Sequence, residues 1–268
     1  MTAALYFFLA SQLVHFRSFK GDFYKMDFIE FDAFLNTVAA DNHLSDILDQ
    51  DKSKKLYFLM THMLEVNKSM NLTSIKDERD VVVRHFIDSL TVAAFLPQNA
   101  KILDVGCGAG FPCLPLGVCR PDLTIVALDS TEKRIKYVRD TANTLEIPHF
   151  TAIAARAEEL AQDTSHRAAY DIVTARAVAA LPVLSELCLP FVRRGGRFIA
   201  MKAKRGMDEL AAAKSGIVKL GGEVTSVNGL EIVARGESDE RLLIEITKTG
   251  DTPAQYPRAY AKILKRPL

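Results

Sequence analysis

The sequence has few of the features that mark metal-binding or disulfide-stabilised proteins. It has four cysteines in 268 residues, and no two of them form a Cys-x-x-Cys pair or lie beside a histidine cluster. This spacing argues against both a zinc site and a disulfide framework. Reduced thiols of this kind suit the cytoplasm. We therefore expect no bound metal and a cytoplasmic location.

Long hydrophobic runs are also missing. Residues 3–10 are apolar and aromatic, but a membrane span needs about 20 such residues. No basic residue precedes this run, which argues against a signal peptide. We expect no membrane association. Met26 opens an acidic amphipathic segment, so a true start at Met26 would make residues 1–25 a non-native extension.

An excess of charge of either sign is absent as well, because the formal net charge is +1. The charges are nevertheless unevenly distributed. Residues 26–51 contain seven acids and no Lys or Arg, whereas residues 193–205 contain six Lys or Arg and no acid. Residues 252–268 contain four more basic residues and no acid. Each basic run predicts either a face for a polyanion or a solvated charged surface.

The most informative stretch that is present covers residues 101–112. An apolar run at 102–105 predicts a buried strand. Three glycines follow at alternate positions, Gly106, Gly108 and Gly110. Glycine lets the backbone turn sharply and approach a ligand closely, and Pro112 suits the first turn of a helix. The stretch predicts a nucleotide-type pocket at the carboxyl end of a strand.

Two details of this stretch bear on the ligand. Phe111 stands where the third glycine of a G-x-G-x-x-G dinucleotide motif would be. Asp104 lies two residues before the first glycine, where a carboxylate would repel a pyrophosphate and suit a positively charged ligand. S-adenosylmethionine carries a sulfonium and an ammonium group. The stretch favours this donor over a nicotinamide dinucleotide, and a glycine-rich turn without any ligand stays an alternative.

Apolar segments and helical patterns alternate from residue 101 onward, which predicts an α/β fold with a mostly parallel sheet and helices on both faces. We predict seven strands, of which the last two form a hairpin: 102–105, 123–128, 150–154, 170–174, 197–201, 223–233 and 241–247. We predict helices at 28–38, 54–67, 81–95, 131–145, 181–191 and 208–220. The predicted domains are an N-terminal extension (1–25), a helical cap (26–98), the α/β domain (99–250) and a basic tail (251–268).

Charged residues follow the predicted strands at one edge of the sheet, where ligands of such folds bind. They are Asp104, Asp129, Arg156, Arg176 and Lys202. Asp129 comes nineteen residues after Gly110, close to the spacing at which an acid reaches a ribose. In the cap, His85 and Asp88 share one helical face with Arg84. The histidine is interpreted either as a satisfied structural group or as a chemical participant.

Several segments together resemble the RsmG family, also called GidB, in family order across residues 50–205. They are residues 71–75, 84–90, 104–112, 129–130 with 133–134, 156–159 and 175–177. The resemblance implies a class I S-adenosylmethionine-dependent methyltransferase fold with a helical N-terminal cap. It also implies methylation of guanine N7 in small-subunit (16S) ribosomal RNA. The departures are the first 25 residues, the tail at 252–268 and the absence of the tryptophan that relatives often carry in the second N-terminal helix.

The resemblance and the residue patterns together define the expected donor site. The family holds the donor at positions that match Gly106, Phe111, Ala157, Glu158 and Arg176. The full predicted set of donor-binding residues is Asp104, Gly106, Gly108, Gly110, Phe111, Asp129, Ser130, Ala157, Glu158 and Arg176.

Guanine N7 has a lone pair and no proton, so its methylation requires no general base. The sequence agrees, because it lacks the Asp/Asn-Pro-Pro-Tyr segment used on exocyclic amines. It also lacks a suitably placed cysteine nucleophile, since Cys113 lies in the glycine loop. We assign catalytic positioning to Arg156 and Arg176, which would donate to guanine O6 or to phosphate. Structural ion pairs are the alternative for both. Lys202, Lys204 and Arg205 would bind RNA phosphates, with a solvated surface as the alternative.

We expect the partner to be 16S ribosomal RNA or the small subunit, and the protein to act as a monomer. Two other functions stay open: a methyltransferase of the same fold that acts on a small molecule or a protein, and a donor-binding RNA module without transfer activity.

Overall fold

The computed structural model describes residues 25–268. The predicted N-terminal extension lies outside the described residues, apart from Lys25. A seven-stranded sheet organises the rest, in the order β3-β2-β1-β4-β5-β7-β6. The strands are β1 (Lys101–Val105), β2 (Thr124–Asp129), β3 (Phe150–Ala154), β4 (Tyr170–Arg176), β5 (Val192–Lys202), β6 (Gly222–Ala234) and β7 (Glu237–Lys248).

Strands β1 to β5 are parallel, and β7 runs antiparallel between β5 and β6. The predicted class I architecture, a mostly parallel seven-stranded sheet that ends in a hairpin, is therefore confirmed. Strand β5 begins at Val192, five residues before the predicted start at 197, and includes the Gly195–Gly196 pair. Gly195 has a φ of +74°, and the β4–β5 register shifts between Tyr170 and Ile172. The glycines thus form an irregularity inside the strand.

Three main helices precede the sheet and form the predicted cap, with a short 3₁₀ turn (Ser45–Ile47) between the first two. Helices α1 (Phe28–Asp41) and α2 (Gln50–Met70) each begin at an aspartate, because Asp27 and Asp49 accept hydrogen bonds from backbone N–H groups of the first turn. Asn71 ends α2 in the left-handed conformation, with φ of 50°. Both helices extend beyond the predicted bounds at one or both ends.

The third cap helix, α3, is irregular in the middle. It consists of an α-helical turn (Glu78–Val81), a π-helical segment (Val82–Ile87) and a final α-helical turn (Asp88–Leu90). We predicted one helix over 81–95, but the last part, Ala93–Phe95, is a separate 3₁₀ turn. π-Helical turns inside α-helices are frequent at functional sites.

The remaining helices connect the strands, except for the last, which follows β7. They are α4 (Cys113–Cys119), α5 (Glu132–Thr144), α6 (Ala157–Leu160), α7 (Leu181–Cys188), α8 (Gly206–Lys219) and α9 (Tyr260–Lys265). None of the helices within residues 25–268 has the length and apolar character that crossing a membrane requires. All four cysteines are buried and free.

The sheet separates two hydrophobic cores. Alternate residues of a strand point to opposite faces, so Ile102 packs with the cap helices, α4 and α5, whereas Leu103 packs with α7 and α8. The cap therefore shares a core with one face of the α/β domain. Residues of the predicted basic tail, including the buried Tyr256 and Ile263, belong to the second core. The tail thus packs against the domain.

Candidate active site

A cavity of about 440 Å³ opens at the carboxyl edge of the sheet, above the ends of the first four strands. This edge is where parallel α/β sheets bind ligands. The cavity wall brings together most of the predicted donor-binding and catalytic residues: Gly106, Gly108, Phe111, Asp129, Ser130, Arg156, Ala157, Glu158 and Arg176. Asp104, Gly110, Lys202, Lys204 and Arg205 do not line it.

The glycine loop forms the floor of the cavity. The N–H groups of Gly106 and Cys107 both donate to the carbonyl of Leu128, at 2.7 and 3.0 Å, so the loop folds over the end of β2. Gly106 has a φ of +73°, and a Cβ placed there would lie 2.5 Å from Cγ2 of Val178. A larger residue would therefore be strained and would collide with its neighbour. The helix that follows begins at Cys113, with Pro112 as its N-cap.

Asp129 lies at the end of β2 with its carboxylate on the cavity wall. Its Oδ2 accepts from the N–H of Gly108 at 3.0 Å, and its Oδ1 accepts from the N–H of Thr131 at 2.8 Å. These bonds fix the carboxylate. A carboxylate can accept about four hydrogen bonds, so acceptor capacity is left for the two hydroxyls of a ribose.

Asp104 is placed differently from our expectation. It is 1% exposed, and its Oδ1 accepts from Thr174 Oγ1 at 3.1 Å, whereas Oδ2 has no hydrogen-bond partner within the described residues. Burial raises the pKa of this carboxyl to about 6. Since Asp104 lies beneath the glycine loop and away from the cavity wall, the geometry does not support a direct contact between this carboxyl and a positive ligand.

Arg176 joins the cavity to the cap. Its Nη1 donates to Asp88 Oδ2 at 2.9 Å and to the carbonyl of Arg84 at 3.1 Å. The other oxygen of Asp88 accepts from Nε of Arg241 on β7, at 2.9 Å. The guanidinium carbon of Arg176 lies 5.6 Å from the ring centre of Phe111. Arg176 therefore forms the structural ion pair that we considered as an alternative to a catalytic role. The same guanidinium also lines the cavity.

His85 forms a layer of side chains with Arg176 and Phe111. Its ring stacks on Phe111 with centroids 4.3 Å apart and an interplanar angle of 6°. Its Nε2 lies 2.9 Å from Thr73 Oγ1, and its Nδ1 lies 3.4 Å from Nη2 of Arg176. Burial, and secondarily the positive charge of Arg176, lower the pKa of His85 to about 3. The imidazole is thus neutral near pH 7.

The segment that carries Thr73 is fixed by α2. Nδ2 of Asn67 donates to the carbonyl of Thr73, and the N–H of Thr73 donates to Oδ1 of Asn67, both at 2.9 Å. This pair of bonds explains why the turn at residues 71–75 meets the helix that carries His85. The sequence pattern placed His85 and Asp88 on one helical face, but it contained no signal for the contacts of His85 with Phe111 or of Asp88 with Arg241.

Arg156 lies at the β3 side of the cavity. It is exposed, and the structure of residues 25–268 gives it no ion pair within 4 Å. Its guanidinium carbon lies 5.9 Å from the ring centre of Tyr260, within the range of a cation–π contact. Tyr260 also lines the cavity. Sequence reasoning missed this tyrosine, because a single aromatic residue in a basic tail belongs to no recognisable motif.

Lys202 does not have the phosphate-facing position that we expected. It is 9% exposed, and its Nζ donates to the carbonyl of Ala179 at 2.6 Å and pairs with Glu209 Oε2 at 2.7 Å. The same Glu209 oxygen accepts from the N–H of Leu181. Lys202 therefore ties the end of β5 to the starts of α7 and α8, and its charge is neutralised.

Ion pairs also neutralise much of the basic run at 193–205. The pairs are Arg193–Asp171, Arg194–Asp251, Arg197–Glu245 and Lys202–Glu209. Lys204 and Arg205 are exposed, and neither residue forms an ion pair within the described part of the chain. These two residues are the part of the run that is available to a polyanion.

The residues on the cavity wall fit a nucleoside-type donor. The volume lies within the usual 300–1,000 Å³ range of small-molecule pockets, Gly106 leaves room that a Cβ would fill, and Asp129 retains acceptor capacity. Within residues 25–268, no group of three or more His, Cys, Asp or Glu side chains is arranged to hold a metal ion.

Comparison with known proteins agrees with the predicted resemblance. Residues 52–237 match the family model described as GidB, rRNA small subunit methyltransferase G. Ribosomal RNA small subunit methyltransferase G of Staphylococcus carnosus is 44% identical over 227 residues, which cover 83% of this chain and 94% of the relative. The protein of the same name from Deinococcus radiodurans is 45% identical over 204 residues, covering 75% and 80%. The chain therefore belongs to the GidB family of S-adenosylmethionine-dependent methyltransferases.

Proposed function

We propose that this protein transfers the methyl group of S-adenosylmethionine to N7 of a guanine in 16S ribosomal RNA, acting as a monomer in the cytoplasm. The observation that carries the proposal is the convergence in one cavity of the glycine loop, Asp129, Phe111 and Arg176, with His85 stacked behind Phe111. The names of the curated relatives support the choice of ribosomal RNA as the acceptor.

The donor half of the site consists of the glycine loop and the ends of β2 and β3. S-adenosylmethionine supplies a methyl group on a sulfonium, which is activated for transfer without help from a metal. Gly106 and Gly108 allow the backbone to approach the donor closely. Asp129 would accept from the ribose hydroxyls, and Ala157 and Glu158 would lie beside the base.

The acceptor half needs to orient the guanine and has no proton to remove. The residues on the wall and the histidine behind them fit this requirement, because His85 is neutral, packed on Phe111 and hydrogen-bonded at both ring nitrogens. Arg176 has five N–H donors, and its bonds to Asp88, Arg84 and His85 leave further N–H groups for guanine O6 or a phosphate. Alignment of two reactants contributes up to roughly 7–11 kcal/mol in favourable cases, and this alignment is the work we assign to Arg176 and Arg156.

The polyanion is held outside the cavity. Lys204 and Arg205 follow β5 at the same edge of the sheet and are exposed. We propose that they contact RNA phosphates, and we remove Lys202 from this role because of its pairing with Glu209. The alternative acceptors, a small molecule or a protein, would not require these two free cations.

Mass spectrometry of digested 16S ribosomal RNA tests the proposed function. RNA from a strain that lacks the protein should lose one 7-methylguanosine, and expression of the wild-type protein should restore it. Arg176→Ala should fail to restore it while remaining folded in thermal unfolding. Arg193→Ala, which alters an exposed ion pair at the opposite edge of the sheet, should restore it fully. An unchanged 7-methylguanosine content in the deletion strain would contradict the proposal.

A further inference from the structure

The C-terminal tail brings an aromatic side chain to the cavity. Tyr260 is the first residue of α9 and lies on the cavity wall beside Arg156. It lies beyond residue 237, where the match to the family model ends. We propose that Tyr260 supplies the stacking face for the adenine ring of the methyl donor. This inference rests on the proposed function, because it takes the cavity to be the donor site.

An ion pair with a buried carboxylate fixes the tail just before Tyr260. The N–H and Nε of Arg258 both donate to Glu186 Oε1 at 2.8 Å, and Nη2 donates to Glu186 Oε2 at 2.6 Å. Glu186 lies on α7 and is 0% exposed. Removing one partner of such a pair is strongly unfavourable, so the backbone at residue 258 is held in one place relative to α7.

Further contacts fix the tail on either side. Arg167 donates through Nη1 to the carbonyl of Tyr256 and through Nη2 to the carbonyl of Thr252, both at 2.9 Å. After Tyr260, the side chain of Ile263 is fully buried in the second core. The tail is thus anchored before and after the tyrosine. A ring that is already in place loses little conformational entropy when a ligand stacks on it.

The contacts of Tyr260 with the rest of the protein leave part of its ring uncovered. The residue is half-buried, and within residues 25–268 its hydroxyl makes no hydrogen bond. In the described part of the chain it contacts Arg156 through a cation–π interaction and packs at the margin of the second core. Part of the ring is therefore left to the cavity that it lines. Because the hydroxyl has no partner, phenylalanine should preserve the site.

The strand order indicates which part of the donor reaches this ring. The ends of β1, β2 and β3 lie side by side in that order. With the ribose at Asp129 on β2 and the methionine portion toward the glycine loop after β1, the base extends toward β3. Arg156 follows β3, and Tyr260 lies against it. A purine that meets an aromatic side chain gains roughly 1–3 kcal/mol from stacking.

Calorimetric titration of the full-length protein with S-adenosylhomocysteine tests the proposal. Tyr260→Ala should raise the Kd by about fivefold to 150-fold, the range that corresponds to stacking of one base. Tyr260→Phe should stay within about twofold of the wild type. Lys262→Ala changes an exposed residue of the same helix that does not line the cavity, and it should bind like the wild type.

Two further variants make the result decisive. Tyr260→Leu keeps apolar bulk without an aromatic face, so it should weaken binding even if Tyr260→Ala is too unstable to measure. Wild-type affinity in Tyr260→Leu or in a folded Tyr260→Ala would overturn the proposal, whatever the effect on the KM for RNA. Asp129→Ala tests the donor site itself. Loss of binding in Asp129→Ala with no loss in the Tyr260 variants would retain the donor site and reject the stacking role. A wild-type protein that does not bind the ligand would instead reject the proposed function.

Discussion

Replacing Asp88 with alanine should destabilise the protein, because this carboxylate bridges two arginines from different strands. Arg176 ends β4 and Arg241 lies on β7, and each donates to a different oxygen of Asp88 at 2.9 Å. Asp88 itself belongs to the cap. One side chain thus connects three parts of the fold, and its removal leaves two guanidinium groups without their shared counter-charge.

The exposure of the three side chains sets the size of the effect. They are 13%, 12% and 19% exposed for Asp88, Arg176 and Arg241 respectively. A charge-assisted hydrogen bond contributes roughly 1.5–3 kcal/mol, and breaking a fully buried ion pair costs about 3–5 kcal/mol. Because Arg176 keeps the carbonyl of Arg84 and Arg241 keeps that of Glu240, we expect the free energy of unfolding to fall by about 3 kcal/mol.

Equilibrium urea unfolding of Asp88→Ala against the wild type at pH 7 measures this change. Asp239→Ala is the matched control, because Asp239 also faces Arg241, at 3.7 Å, but is 56% exposed. Exposed ion pairs contribute little, so this variant should change the free energy of unfolding by less than about 1 kcal/mol. A cycle with Arg241→Ala should show coupling to Asp88 and little coupling to Asp239. Equal and small effects for Asp88→Ala and Asp239→Ala would refute the bridging role.

Two more predictions concern pH and salt. The pKa of His85 is about 3 in the folded protein against an ordinary value of 6.5, so the neutral form that folding favours contributes stability above pH 6.5 and loses it as the pH falls toward 3. Between pH 7 and pH 5 the wild type should lose about 2 kcal/mol from this group, and urea unfolding of His85→Gln should show no such loss; parallel pH profiles would contradict the assigned pKa. Lys204→Ala and Arg205→Ala should each weaken RNA binding and reduce the slope of log K against log salt by roughly 0.7–0.9, whereas Arg193→Ala should leave the slope unchanged. Identical slopes for all three variants in filter-binding assays would remove Lys204 and Arg205 from the RNA contact.

Local sequence patterns were sufficient to predict the sheet and the glycine loop. The apolar run at 102–105 and the glycines after it specify a strand and a turn through contacts between near neighbours, and Asp129 follows from spacing alone. The run at 241–247 likewise predicted β7. Each of these features depends on residues within about 20 positions of one another, which is the range over which a pattern can be recognised.

Features that depend on distant partners could not be predicted in this way. Lys202 belongs to a basic run, and nothing in that run shows that Glu209 and Ala179 would enclose its ammonium group. Asp88 and Arg241 are separated by 153 positions, so no spacing rule joins them. The π-helical turn in α3 was hidden for another reason, since its sequence has the same apolar spacing as an ordinary helix.

These distant contacts change the interpretation of the cap. The turn at 71–75 contributes Leu72 to the cavity wall. Helix α3 contributes His85, which stacks on Phe111, and Asp88, which holds Arg176, so the cap supports two residues that line the site. The π-helical segment carries both His85 and the carbonyl of Arg84 that accepts from Arg176. A displacement of α3 would therefore move Arg176 and the support of Phe111 together. The position of the Arg176 guanidinium on the cavity wall is therefore set by the cap as well as by β4.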